Sequence, residues 1–133
     1  MSTKTTRKLV AASGALLVAV SAALVAQAPI TRTVLQRGDS SRAGYEAVTA
    51  RAEFPGAGST TGKHTHPGDE VSYVLEGTLT LDIDGMPSKP LKPGDAFIIP
   101  AGKIHNATAV GGKAVVIANY IVEKGKPLTT PAQ

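Results

Sequence analysis

The chain has 133 residues, of which 42% are hydrophobic and 18% charged. At roughly 100 to 200 residues per domain this length allows one domain, and the composition is typical of a folded chain. The formal net charge is +4, but three of the cations lie in the first eight residues. The remainder is therefore nearly neutral, and nucleic acid is not an expected partner. Because the chain has no cysteine, disulfide frameworks, thiolate metal sites and cysteine nucleophiles are excluded.

Residues 1–28 have the pattern of a secretory signal. The early cations precede an uncharged, alanine-rich stretch at residues 9–31, as in the charged and apolar regions of such a signal. The sequence predicts export to the periplasm or to the outside of the cell, with cleavage after Ala28 or, alternatively, after Ala23. The same stretch is long enough to span a bilayer. A retained hydrophobic helix that anchors the chain to a membrane is therefore the alternative.

From residue 31 onward, short apolar runs alternate with glycine and proline. Turn residues at this density leave no room for a long amphipathic helix, and runs rich in β-branched residues favour strands. Leu79, Leu81 and Ile83 alternate with polar residues, so one face of that strand is expected to meet a core and the other to meet water. Strands are predicted at residues 32–36, 45–54, 63–66, 70–75, 78–84, 88–91, 95–99, 105–109 and 114–122.

This strand pattern predicts an all-β fold, because so many short antiparallel strands fit a jelly roll or a small barrel. The domain is expected to span residues 31–122. Residues 123–133 contain two prolines and little that could be buried, so a flexible C-terminal tail is predicted there.

All three histidines of the chain fall in two of the predicted strands. His64 and His66 alternate on one strand, so both imidazoles should point to the same face. A Pro-Gly-Asp turn then leads to Glu70, and His105 begins another strand after a turn. Three imidazoles and a carboxylate suit one divalent transition metal, which is Fe, Mn, Ni, Cu or Zn. Taken without its context, the His-Thr-His pattern is weak evidence for a metal site, and solvated turn residues are the alternative.

The spacing around the first two histidines resembles the first motif of the cupin superfamily. Gly58 is followed after five residues by His64 and, further on, by His66, Glu70 and Gly77 at the intervals of that motif. The sequence is similar to small single-domain bacterial cupins of the type-2 kind. The resemblance implies a jelly-roll barrel built from short antiparallel strands.

The second cupin motif is present except for its last position. Its intervals are met by four residues, which are Gly94, Pro100, Gly102 and His105. Ala109 stands where the family pattern has an asparagine. Because that asparagine is not a metal ligand in the family, its absence affects a loop contact and not the site. The resemblance implies that the three histidines and Glu70 are the metal ligands.

Three functions remain open, since a fold does not select its chemistry. The first is a metal-dependent dioxygenase or oxidase that acts on a small organic molecule, with Glu70 as the catalytic proton acceptor. The second is an isomerase or decarboxylase that uses the metal as a Lewis acid. The third is small-molecule binding without turnover, consistent with the lack of a further acid–base pair. The oxidoreductase is the preferred hypothesis.

The remaining expectations concern partners and the surroundings of the site. A homodimer is predicted, because an open sheet edge gains by pairing. Lys103, in the loop before His105, is a weaker candidate for contact with an anionic substrate, and a solvated turn role is favoured for it. Five residues are weaker candidates for the cavity mouth, with a core role favoured for the apolar ones: Tyr73, Phe97, Ile99, Asn106 and Tyr120.

Overall fold

The structure is a computed structural model that describes residues 28–133. Apart from Ala28, the predicted signal segment and hydrophobic helix lie outside the described residues. Over the described part of the chain, no helix is long and apolar enough to cross a membrane. The strands are β1 (Thr31–Asp39), β2 (Tyr45–Phe54), β3 (His64–Thr65), β4 (Gly68–Glu76), β5 (Leu79–Ile83), β6 (Lys89–Leu91), β7 (Ala96–Ile99), β8 (His105–Ala109), β9 (Ala114–Glu123) and β10 (Thr130–Pro131).

The strands form two five-stranded antiparallel sheets that make up a jelly roll. The long sheet has the order β1-β2-β9-β4-β7, and the short sheet has the order β10-β3-β8-β5-β6. In the long sheet, β2 and β9 pair along their full ten-residue lengths. The strands of the short sheet have only two to five residues each. The predicted all-β fold is therefore confirmed.

The nine predicted strands correspond to β1 through β9, and two of them, β2 and β8, have the predicted bounds. Only β10 was not predicted. It pairs Thr130 with Thr65 and Pro131 with His64 at the edge of the short sheet. Residues 123–133, for which a flexible tail was predicted, thus contain a strand that lies against a histidine. The mobility of this segment in solution stays a prediction.

The core lies between the two sheets and follows the alternation of the strands. On β5, Leu79 and Leu81 are buried and Ile83 is half-buried against the core, which confirms the predicted inner face of that strand. On β2, alternate residues from Val48 to Phe54 are buried. The long sheet supplies most of the buried side chains, and the histidines occupy one region of the same interior.

A glycine of the first motif is required where β4 turns into β5. Gly77 has a φ of 73°, in the left-handed region that is open to glycine at little cost. A Cβ at this position would lie 2.2 Å from the backbone oxygen of Lys113, so another residue would force the turn apart from the neighbouring loop. The turn therefore fixes the relation of the strand that carries Glu70 to the short sheet.

Candidate metal centre

The four predicted ligands come from three strands and one turn, and the fold brings them together. His64 begins β3, His66 follows directly after β3, and His105 begins β8. His64 and His105 are cross-strand partners, and side chains of directly paired residues lie side by side on one face of a sheet. Glu70 comes from the facing long sheet, on β4.

The three imidazoles form a compact buried cluster. Their ring centroids are 4.2 Å apart for His64 and His105, 4.8 Å for His64 and His66, and 5.0 Å for His66 and His105. One nitrogen of each lies within 4.8 Å of those of the other two, and each residue is at most 4% exposed. These three histidines are positioned so that they could hold one metal ion.

The Glu70 carboxylate lies against the same cluster. Its Oε2 atom is 2.9 Å from Nε2 of His66 and 3.4 Å from Nε2 of His105. Two ligand atoms at right angles around a metal, with bonds near 2.1 Å, lie about 3 Å apart. The spacing of the carboxylate and the two imidazoles therefore fits a shared cation.

Backbone carbonyls determine which nitrogen of each imidazole faces the cluster. The Nδ1 atoms lie 2.8 Å from the Gly62 oxygen for His64, 2.6 Å from the Leu128 oxygen for His66, and 2.9 Å from the Lys103 oxygen for His105. A carbonyl only accepts, so each Nδ1 must donate its proton. In the neutral ring the other nitrogen then presents a lone pair. All three Nε2 lone pairs are left for the interior of the site.

The Nε2 atom of His66 is a buried polar atom without a hydrogen bond of acceptable geometry, although the Glu70 Oε2 atom is only 2.9 Å away. A carboxylate oxygen and a neutral Nε2 are both acceptors, and two acceptors repel at this distance unless a proton or a metal lies between them. The ligand set, three nitrogens and one oxygen, is one that divalent transition metals bind. The residues present thus fit a metal ion.

The surroundings favour the charge states that a metal needs. Burial, followed by the neighbouring imidazoles, lowers the pKa of His64 from 6.5 to about 4, against the effect of its bond to Gly62. Burial raises the pKa of Glu70, but the neighbouring side chains of His105, His66 and Ser72 outweigh it and hold this pKa well below its usual range. The Ser72 hydroxyl donates to Oε1 of Glu70 at 2.5 Å. His64 is therefore neutral and Glu70 ionised at neutral pH, as metal ligands must be.

The two turns that carry the motifs are bonded to each other. The backbone NH of Ala101 donates to Oδ1 of Asp69 at 3.0 Å, and the NH of Gly102 donates to the backbone oxygen of His66 at 3.0 Å. The turn that precedes His105 is thereby held against the turn between His66 and Glu70. This explains how ligands that lie 35 residues apart or more in sequence keep one geometry.

A small cavity opens onto the cluster. It has a free volume of about 30 Å³, room for a small group and not for a large ring system. Most of its lining is apolar. Its polar lining residues are Arg32, Thr61, His64, Glu70, His105 and Tyr120.

The five weaker candidates for the cavity mouth lie in different places. Phe97 and Tyr120 line the cavity, and the Tyr120 ring lies 4.7 Å from that of His66. Ile99 is buried in the core, whereas Tyr73 is 45% exposed on the outer face of the long sheet. The side chain of Asn106 is hydrogen-bonded to nearby threonines.

Three residues that contact the site were missed by sequence reasoning. Ser72 alternates with Glu70 on β4, a spacing that could have revealed it. Leu128 acts through its backbone oxygen, for which a sequence has no signal. Arg32 reaches the cavity only through the pairing of β1 with β2, so no local pattern marks it.

The chain belongs to the cupin family. The family model described as the cupin domain matches residues 50–126, more than half of the chain. Among solved structures, a cupin superfamily protein of Desulfitobacterium hafniense is 19% identical, with a TM-score of 0.60 over 74% of this chain and 82% of that one. At this identity the likeness shows the fold alone.

Two curated relatives match shorter segments. An acireductone dioxygenase of Leishmania braziliensis is 37% identical over 57 residues, which is 40% of this chain and 17% of the relative. A germin-like protein, subfamily 1 member 20, of Arabidopsis thaliana is 41% identical over 56 residues, 36% of this chain and 25% of the relative. This chain thus matches only about a sixth to a quarter of the length of these relatives.

Proposed function

We propose that His64, His66, Glu70 and His105 bind one divalent transition metal, and that the protein is a metal-dependent dioxygenase or oxidase of a small organic molecule. The observation that carries the proposal is the buried Nε2 atom of His66, which faces the acceptor oxygen of Glu70 with no hydrogen bond. The name of the acireductone dioxygenase similar to this chain supports the choice of reaction class.

The metal would supply Lewis acidity and, if it is Fe, Mn or Cu, a redox partner for oxygen chemistry. The protein's own residues hold and orient the reactants. The neighbouring His105, His66 and Ser72 side chains keep Glu70 ionised, so it can accept a proton, but its lowered pKa makes it a weak base. We therefore expect substrates with an acidic proton, such as a hydroxyl next to a carbonyl group.

The cavity sets the size of the substrate. With a volume of about 30 Å³, it admits a small molecule or one end of a larger one. Its apolar lining excludes bulk water from the region around Glu70, which strengthens electrostatic contacts within it.

The test has two stages. Elemental analysis of the purified protein should show one divalent metal per chain. His105→Ala should reduce the metal content to background, because it removes one of the four proposed ligands. Oxygen consumption is then measured with Fe(II)- or Mn(II)-loaded protein and a panel of small hydroxy and keto acids and phenols. Lys103→Ala is the matched control, because its backbone oxygen still accepts the bond from His105. Full metal content in His105→Ala would overturn the metal site.

Binding without turnover is the second candidate. It is favoured by the lack of a second group that could exchange a proton at neutral pH. Among the described residues that line the cavity, the titratable groups other than the ligands are Arg32 and Tyr120, and an arginine stays protonated. Burial and then the Glu70 charge raise the pKa of Tyr120 above its usual range, so it is not a base at neutral pH. Saturable ligand binding with no oxygen consumed and no product formed would favour this candidate.

Export and dimer formation are further proposals. N-terminal sequencing of the native protein is expected to begin near Ala28, and an intact Met1 in a soluble cytoplasmic fraction would contradict export. For the dimer, β1 is the edge of the long sheet and all nine of its residues are exposed, which supports pairing with the same strand of a second copy. A monomeric mass in solution at micromolar concentration would contradict the dimer.

A further inference from the structure

Within residues 28–133, Arg32 is the only cation that lines the cavity. It belongs to β1, where it pairs with Ala52 of β2, and Ala52 pairs in turn with Val116 of β9. Ala52 and Val116 are buried in the core. Since directly paired residues project from the same face of a sheet, the Arg32 side chain extends over the inner face of the long sheet, which is the face that carries the site.

Arg32 has no carboxylate partner within ion-pair distance in residues 28–133, whereas Arg37 of the same strand pairs with Glu46. The guanidinium of Arg32 lies near Tyr120: burial raises the pKa of Tyr120, and Arg32 offsets part of that rise. The Tyr120 ring packs on the ring of His66 at 4.7 Å. The guanidinium thus lies at the cavity beside a proposed metal ligand.

The charges around the cavity are not balanced by the protein. In the part of the chain that the structure describes, Glu70 is the only carboxylate that lines it. A divalent metal on that carboxylate and the histidines, together with Arg32, would leave an excess of two positive charges. A cavity with such an excess attracts anions, and its apolar walls strengthen the attraction.

The planar fork of an arginine matches a carboxylate, which it binds through two parallel hydrogen bonds. The side chains near this region of the long sheet are small, with Ala52 and Ala118 among the lining residues. Arg32, His64 and His105 line the same cavity. A carboxylate at Arg32 would then direct the adjoining part of a short molecule toward the metal.

Resting on the function proposed above, we infer that the substrate or ligand is a small organic acid and that Arg32 binds its carboxylate. Arg32 is the residue that determines specificity for an anion. Neutral molecules of the same size lack a partner for Arg32 and are bound more weakly.

The test uses Zn(II)-loaded protein, so that no redox turnover takes place, and measures binding by calorimetry. The probes are glycolate, which is an anion, and glycolamide, its uncharged counterpart. Arg32→Gln should raise the Kd of glycolate about tenfold to a hundredfold, the range for loss of a charged hydrogen bond, and should leave the Kd of glycolamide unchanged. Arg32→Lys should give an intermediate Kd, because it keeps the charge and loses the fork. The matched control is Arg37→Gln, a loss of the same charge on the same strand outside the cavity, and it should bind glycolate like the original protein.

The outcomes separate this inference from the metal site. Equal glycolate binding by Arg32→Gln and the original protein, with metal content intact, would overturn the inference and leave the metal site standing. The inference would also be overturned if the original protein bound no glycolate, or if Arg32→Gln raised the Kd of glycolamide as much as that of glycolate. Failure of the original protein to retain metal would overturn the proposed function itself, and this inference with it. Near-UV circular dichroism of both Arg32 variants shows that any change is not a loss of fold.

Discussion

The two sheets of this protein differ in what holds them together. The long sheet is built from strands of up to ten residues with continuous backbone pairing, and it supplies most of the buried apolar side chains. The short sheet contains β3, which meets β8 only at the pair of His64 and His105. The short sheet nevertheless carries two of the three imidazoles, and the third follows β3 directly.

The two sheets therefore contribute differently to the stability of the fold and to the proposed metal site. The ligands on the short sheet are oriented by single backbone carbonyls of neighbouring turns and of the C-terminal segment. Glu70 is the one proposed ligand from the long sheet, where Ser72 fixes it. The long sheet therefore acts as the support, and the short sheet and its turns adjust the site. Changes in each region should have separable effects.

The largest effect is expected in the long sheet. Ile99→Ala removes a fully buried side chain and should lower the free energy of unfolding by about 2–5 kcal/mol. Below its lower melting temperature, the variant should still bind metal. Chemical denaturation measures the first and elemental analysis the second.

The neighbouring residue supplies the control for that change. Ile98 lies on the same strand and is 64% exposed, so Ile98→Ala should change the free energy of unfolding by less than about 0.5 kcal/mol. Equal losses in both variants would contradict the assignment of Ile99 to the core and of Ile98 to the outer face.

Removal of the metal should have the next largest effect. We expect the apolar core to form without the proposed metal, so the chelated protein should still unfold in one cooperative transition, at a lower temperature. At a free metal concentration one hundred times its Kd, bound metal stabilises the fold by about 2.7 kcal/mol. Thermal melting with near-UV circular dichroism measures this. A chelated chain without a cooperative transition would show that the site is structural.

A smaller effect is expected from deletion of residues 127–133. The deletion removes the Leu128 oxygen that accepts the bond from His66, and loss of such a partner typically weakens metal binding about tenfold to a hundredfold. Competition with a chelator of known affinity measures the change.

The control for the deletion is Leu128→Ala, which keeps the backbone oxygen and loses only the packing of a partly buried side chain. Metal affinity in Leu128→Ala should stay near that of the original protein. Unchanged affinity in the deletion variant would mean that the C-terminal segment does not orient His66.

The smallest effect is the pH dependence of the metal-free protein. The pKa of His64 is about 4 in the folded state against 6.5 for a free imidazole, so the unfolded chain binds more protons between these values. The free energy of unfolding should therefore fall as the pH drops from 6.5 toward 4. Glu70, whose pKa is lowered from 4.5, adds a further loss only below that value.

Denaturation of chelated protein at pH 7 and pH 5 measures this slope. His64→Gln, which cannot be protonated, should show a smaller slope over the same interval. A slope equal to that of the original protein would show that His64 is not the group responsible.

Much of the fold and the proposed ligand set could be predicted from sequence. Strands can be predicted from the local alternation of apolar and polar residues, as on β5. Their ends can be predicted from turn residues such as Gly77, whose φ is 73°. The intervals between the proposed ligands resemble the two cupin motifs, and this resemblance predicted that His64, His66 and His105 would meet, as they do. These features depend on neighbours along the chain, which a sequence displays directly.

The tertiary structure alone decided the rest. Strand β10 has no alternation of its own, and it exists because β3 offers a free edge. The hydrogen bond from His66 to the Leu128 oxygen joins residues 62 positions apart, and a backbone oxygen has no identity in a sequence. Arg32 reaches the cavity only because β1 pairs with β2 in a register that puts it opposite Ala52. Such contacts arise from pairing between distant segments, and the free energy of that pairing is not encoded in any one of them.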